Sequence, residues 1–126
     1  MTDAQGLPLA AALSAANVAE GPTLPTMVQA AQAILPPEQS VEAVHGDKAF
    51  DSRANRIFCR LNHLRCNIPE RGQRETALGR KRWVIERTFA WLKRFRRLAV
   101  RYDRRADIHL GLLLLGCALI ASNFCR

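Results

Sequence analysis

With 126 residues, 48% of them hydrophobic, the chain can form one packed domain or part of one, not two. Its formal charge is +8, and no basic stretch precedes an apolar run at the N-terminus, so no segment reads as a secretion signal and a cytoplasmic location is expected. The four cysteines, Cys59, Cys66, Cys117 and Cys125, form no Cys-x-x-Cys pair and the three histidines complete no zinc pattern, which leaves reduced, mostly buried thiols.

In chain order, Thr2-Asp3-Ala4-Gln5-Gly6 signals a turn, and residues 7–15 follow as a strand although alanines are poor strand formers. The arm before that turn is only two residues long, so the chain is expected to begin inside a fold. Gly21-Pro22 and Pro25 punctuate the next stretch. Residues 26–35 then read as a helix with Met27, Ala30, Ala31, Ile34 and Leu35 inward, stopped by Pro36-Pro37. Residues 41–44 read as a strand running into Gly46-Asp47. Ser52 caps a helix to about residue 61, with Ile57, Phe58 and Leu61 inward. A short strand is expected over 64–68, and a mobile polar loop over 69–79. This alternation of strand and helix points to an α/β layered domain; the final third is all helix.

The charge is concentrated. Residues 80–105 hold eleven basic side chains against Glu86 and Asp103, a net +9, and arginine outnumbers lysine sixteen to three in the whole chain. Guanidinium groups bond phosphate through two parallel hydrogen bonds, and a concentrated basic stripe is the electrostatic footprint of nucleic-acid binding. A solvated helix face is the simpler alternative. At 100° per residue, a helix over 81–102 gathers Val84, Ile85, Thr88, Trp91, Leu92, Phe95, Leu98 and Ala99 on one arc. Arg82, Glu86, Lys93 and Arg97 gather on the opposite side. Glu86 is either the acidic half of an i,i+4 surface pair with Arg82, worth a few tenths of a kcal/mol, or a metal ligand among phosphate-binding cations, which would keep it ionised. Phosphoryl chemistry needs a second carboxylate. Asp47, just past the strand over 41–44, stands where α/β folds often carry catalytic groups, or it merely starts a turn. Asp51 belongs to the turn before the Ser52 helix. The apolar run over 108–124 is diluted by Gly111, Gly116, Ser122 and Asn123 and falls short of the ~20 residues of a membrane span. A buried helix packed on the sheet is expected, with a membrane helix as the alternative.

The block Gly46-Asp47-Lys48-Ala49-Phe50-Asp51-Ser52-Arg53 resembles the Asp-Lys-Gly-Tyr-Asp-Ser block of bacterial insertion-sequence transposases. The run Arg82-Trp83-Val84-Ile85-Glu86-Arg87-Thr88-Phe89-Ala90-Trp91-Leu92-Lys93-Arg94-Phe95-Arg96-Arg97-Leu98 is similar to their catalytic glutamate helix. Arg101-Tyr102-Asp103-Arg104-Arg105-Ala106-Asp107 continues the likeness, and Asp3 to Leu9 and Leu13 to Asn17 look like the family's second and third strands. The resemblance is to the insertion-sequence-five group of the insertion-sequence-four superfamily and covers nearly the whole chain. It implies that residues 1–126 are the C-terminal part of a ribonuclease-H-like domain (mixed sheet, flanking helices) with an Asp-Asp-Glu triad on two magnesium ions, manganese being possible. Asp47 would be the second Asp and Glu86 the Glu, both metal ligands. Arg82, Glu86 and Lys93 match the family's Arg-x3-Glu-x6-Lys spacing, which makes Lys93 and Arg82 phosphate-gripping members of the catalytic set. Gly79 replaces the tyrosine that opens the longer signature, so no DNA contact is carried over to that position.

Two metals bridged by carboxylates would activate the attacking water or 3′-hydroxyl and stabilise the leaving oxygen. Lys81, Arg94, Arg96, Arg97, Arg101 and Arg104 would bind the DNA backbone without regard to sequence. The implied partner is double-stranded DNA, transposon ends and target, with no membrane. In the family the first catalytic Asp lies upstream of the segment matched here, and Asp3 aligns with a later hairpin turn. The expectation is therefore a truncated copy, or the downstream frame of a frameshifted element, inactive without an upstream segment or a second copy. The alternatives are a non-catalytic DNA-binding remnant or transposition inhibitor, and an unrelated basic RNA-binding protein.

Overall fold

The computed structural model describes residues 1–70, 72 and 79–125, with the backbone alone for 79–82. Five helices are described: α1 Leu24–Ile34, α2 Arg53–Leu61, α3 Gly79–Leu92, α4 Arg96–Ala99 and α5 Ala106–Phe124. Two short strands, β1 Ala43–His45 and β2 Arg65–Asn67, pair in parallel. The chain divides into two compact units, residues 14–79 and residues 1–13 with 80–126.

The unit of residues 14–79 is built around a βαβ crossover, the connection that parallel strands require. Ala43, Val44 and His45 face Arg65, Cys66 and Asn67 in register, and the Arg65 amide donates to the Glu42 carbonyl at 2.9 Å just ahead of the ladder. The strand expected over 41–44 is shifted to Ala43–His45, and the one expected over 64–68 is present as the shorter Arg65–Asn67. Helix α1 starts two residues earlier than its expected start at 26, because Pro25 falls in the first turn, where its missing N–H costs nothing. It ends where Leu35 turns extended (ψ 147°) ahead of Pro36. Its inner face is Leu24, Val28 and Ala31; of the expected inward set only Ala31 is buried, and Ile34 is 61% exposed. Helix α2 begins as expected, the Ser52 hydroxyl accepting from the Asn55 amide at 3.1 Å. Its inner face is also different: Asn55 and Cys59 are buried, while Ile57 and Leu61 face outward. Gly21, Val44 and Ile68 complete the buried set of this unit. The loop expected over 69–79 lies largely outside the described residues.

In the other unit the N-terminal turn forms as expected. The Asp3 carboxylate accepts from the amides of Gln5 and Leu7, both at 2.8 Å, and the Asp3 amide donates to Leu7 at 3.0 Å. Residues 7–15 are not a strand; only an isolated antiparallel bridge joins Thr2 to Pro8. The continuous helix expected over 81–102 is interrupted. Helix α3 ends at Leu92, Phe95 is extended (ψ 113°), and a single turn, α4, follows. The break keeps Leu92, Phe95 and Leu98 converging on one point: a Cβ at Gly116 of α5 would lie 2.9 Å from Leu98, 3.2 Å from Leu92 and 3.5 Å from Phe95. The periodicity therefore survives the break, and the sequence pattern does not register it.

Helix α5 departs most from expectation. It buries only Gly116 and Ile120, and Leu114, Leu115 and Leu119 stay about half exposed. Within its own unit it packs on α4 and the end of α3; the sheet it was expected to pack on belongs to the other unit. At 19 residues it is long and apolar enough to cross a membrane by length and composition.

Candidate active site

Asp47 follows β1 by two residues, at the strand's C-terminal end. Its backbone is extended, and its Oδ1 accepts from the Ala49 amide at 2.9 Å, capping a 3-10 turn at Lys48–Phe50. The turn-starting role is therefore real, and it leaves the carboxylate exposed. Two α2 residues to which the sequence assigned no role hold this turn. Asn55, 2% exposed, donates through Nδ2 to the carbonyls of Phe50 and Gly21, both at 2.9 Å. Both neighbours being acceptors fixes the amide's orientation. Arg56 bonds Asp51 at 2.7–2.8 Å and reaches the Ile68 carbonyl at 3.2 Å. The Asp51 hydrogen bond raises the Arg56 pKa above its ordinary value. Asp51 is thus a structural turn residue, as expected.

Glu86 lies mid-helix in α3 with an exposed side chain. Lys93 is seven residues on, and its amide still donates to the Phe89 carbonyl at 2.9 Å, so helical geometry carries it to about 20° from Glu86 and about 10 Å along the axis. Arg97 lies beyond the break at Phe95, so the shared face assigned to it by helix continuity does not hold. It bonds Asp103 Oδ1 at 3.3 Å instead. The side chains of Lys81 and Arg82 lie outside the described residues. Asp47 belongs to the unit of residues 14–79 and Glu86 to the other.

The other described basic side chains of residues 83–105 fall into three groups. Arg101 donates from Nε to the Asp103 carbonyl at 3.1 Å, and Arg105 grips both Asp107 oxygens at 3.1 and 2.6 Å. That grip holds the Asp107 carboxyl below its ordinary pKa. Together with Arg97 they form a framework around the link between α4 and α5. Lys93, Arg94, Arg96 and Arg104 are exposed, and among the described residues their side chains make no hydrogen bond or ion pair. Arg87 is different again. Its guanidinium lies 4.6 Å from the Trp83 ring and 4.8 Å from the Trp91 ring, and Nη2 donates to the Gln5 carbonyl. The Trp-x3-Arg-x3-Trp spacing was the signal for this stack, since residues four apart share a helix face. Among the described residues no group of three or more His, Cys, Asp or Glu side chains stands together as a metal cluster.

A family model described as "Transposase DDE domain" matches residues 1–123. The chain belongs to this family. It is also 42% identical, over 131 aligned residues, to a protein of Burkholderia cepacia whose name assigns it as the transposase for insertion sequence element IS402. The alignment takes in 100% of this chain and 62% of that protein, so the chain spans about three-fifths of its relative's length. No solved structure matches the chain. Membership in the DDE transposase family accords with the resemblance drawn from the Asp47 block and the Glu86 helix.

Proposed function

We propose that the chain supplies the second and third carboxylates, Asp47 and Glu86, of a ribonuclease-H-like transposase domain that cuts and joins DNA at the ends of an insertion sequence. The observation that carries this reading is the family match over residues 1–123, into which both carboxylates fall. The donor chemistry is compatible. Both are exposed carboxylates, and carboxylate oxygens suit a hard divalent cation such as Mg2+ or Mn2+. Such ions, when bound, polarise the phosphodiester and lower the pKa of the attacking hydroxyl.

The chain's own residues do the rest. Asp47, fixed by its cap on the Lys48–Phe50 turn, presents a carboxylate at the end of β1. Glu86 presents one from α3. Lys93, on the Glu86 side, meets a phosphate of the reacting strand, and Arg82 holds either a phosphate or Glu86. Lys81, Arg94, Arg96 and Arg104 contact the backbone of double-stranded DNA, whereas Arg97 and Arg101 are assigned to the framework around Asp103. Such an enzyme works on chromosomal DNA in the cytoplasm, with α5 as an internal packing element. The complete activity belongs to a full-length enzyme, and residues 1–126 by themselves are expected to bind DNA without nicking it.

The test is made on purified residues 1–126 with transposon-end duplex and Mn2+. Asp47→Asn and Glu86→Gln should each weaken Mn2+ binding and leave duplex binding intact. Mn2+ binding untouched by both variants would favour a non-catalytic DNA-binding or inhibitory role. Nicking by the chain alone, abolished in Glu86→Gln, would refute its inactivity. Tighter binding to RNA than to the inverted repeats would refute the transposase reading.

A further inference from the structure

Two successive carbonyls of the N-terminal turn are bound by two successive residues of α3. Arg87 Nη2 donates to the Gln5 carbonyl, and the Thr88 hydroxyl stands 2.8 Å from the Gly6 carbonyl. The same hydroxyl lies 3.1 Å from the Val84 carbonyl. It has one proton, and the shorter contact takes it. Thr88 is 4% exposed, so this bond is shielded from water. The turn is preorganised by Asp3, whose carboxylate accepts from two of its amides. Gly6 is fitted to the contact: its φ is +87°, and a Cβ there would lie 3.1 Å from both Arg87 Nη2 and Thr88 Oγ1. The Trp83 and Trp91 rings hold the Arg87 guanidinium from both sides.

These bonds fall on the two residues that follow Glu86. Val84 and Leu92 bury one side of α3, but apolar packing is non-directional, and a roll about the helix axis redirects every side chain at once. Bonds to two fixed carbonyls remove that freedom. We propose that Thr88 and Arg87 are positioning residues, which lock the roll of α3 against the N-terminal turn and so set the direction in which Glu86 leaves the helix. The inference rests on the assignment of Glu86 as a metal ligand. Partners that orient a ligand typically account for 10–100-fold in metal affinity.

The experiment is Mn2+ titration of residues 1–126, followed by the electron paramagnetic resonance of free Mn2+, with thermal melting in parallel. Thr88→Val keeps the side chain's shape and removes the hydroxyl; it should weaken Mn2+ about tenfold. Thr88→Ser should restore the affinity. Gly6→Ala, which disturbs the latch from the turn side, should mimic Thr88→Val. Val84→Ala removes packing on the same buried face but leaves both bonds, so it should lower the melting temperature without the loss of affinity. Compared at equal fractions folded, Mn2+ affinity of Thr88→Val within twofold of wild type, or lowered no more than in Val84→Ala, overturns the proposal. If Glu86→Gln weakens Mn2+ binding and Thr88→Val does not, only the positioning role falls. If Glu86→Gln leaves binding unchanged, the ligand assignment falls and takes the positioning role with it.

Discussion

Replacing Asn55 separates a packing role from a hydrogen-bonding one. Its amide donates to two carbonyls, Gly21 and Phe50, that lie 34 and 5 residues away. Asn55→Ala removes two hydrogen bonds at about 1 kcal/mol each and leaves a small cavity beside two carbonyls that have lost this donor, about 3 kcal/mol in all. Asn55→Asp is nearly isosteric, yet it should cost more, about 4 kcal/mol or above at neutral pH. It points acceptor oxygens at two acceptors and desolvates a charge. Against a total stability of about 5–15 kcal/mol, either loss is large. The assay is urea unfolding, where 3 kcal/mol should move the midpoint by roughly 1–3 M. The introduced carboxyl should have a folded pKa above its unfolded value near 3.9. Its deficit relative to Asn55→Ala is therefore smallest below pH 4 and grows as pH rises through the folded pKa. Equal stability of Asn55→Asp and wild type at pH 7 would refute the donor role of Asn55, and with it the account of what holds the turn bearing Asp47.

Burial pushes the Cys59 thiol up to about 11, with the neighbouring Cys66 as a further cause. The folded state thus holds this proton more tightly than the unfolded chain. Its contribution, about 2–3 kcal/mol at most, is intact below pH 9 and lost as pH rises from 9 through 11; Cys59→Ala should flatten that part of the stability–pH curve. Gly111 has open space around its Cβ position, whereas the Cβ position at Gly116 is crowded by three side chains. Gly111→Ala should stabilise α5 by about 0.5–1 kcal/mol, and Gly116→Ala should fall about 1–2 kcal/mol below it in thermal melts. For duplex binding, alanine at Arg94, Arg96 or Arg104 should each lower the slope of log affinity against log salt by about 0.9. Arg97→Ala should change that slope less and cost about 1 kcal/mol of stability, because the Asp103 side chain it bonds is only 10% exposed.

The fold was legible where its causes are local. Ser52 caps α2 through its own hydroxyl, Pro25 marks the first turn of α1, Pro36 stops it, and Asp3 closes the first turn. All of these act within a few residues. The inner faces of α1 and α2 were not legible, because an apolar side chain in a short helix does not say which neighbour it meets. Burial of Asn55 in place of Ile57 is decided by carbonyls brought in from elsewhere in the chain. The missing strand over 7–15 has the same origin: apolar content allowed it, but a ladder needs a partner, and only Thr2 pairs with Pro8. In α5 nearly every position is apolar, so composition could not tell a buried helix from one that buries a single stripe.

The candidate site was legible to a different degree. Asp47 and Glu86 stand out in sequence because each interrupts a pattern, one at a strand end and one in a basic run. The basic run itself overstates the charge open to a ligand. Of its eleven cations, Arg87 is stacked between two indoles, and Arg97, Arg101 and Arg105 are bonded to Asp103 or Asp107. The two aspartates number few beside eleven cations, yet they engage three of them, because each lies two to six residues from its partners. Charge counted along a sequence measures long-range attraction to DNA; charge free to touch a phosphate depends on such local pairings. Among the described side chains of the run, Lys93, Arg94, Arg96 and Arg104 are the cations left to make those contacts, and Lys93 is the one that helical geometry keeps beside Glu86.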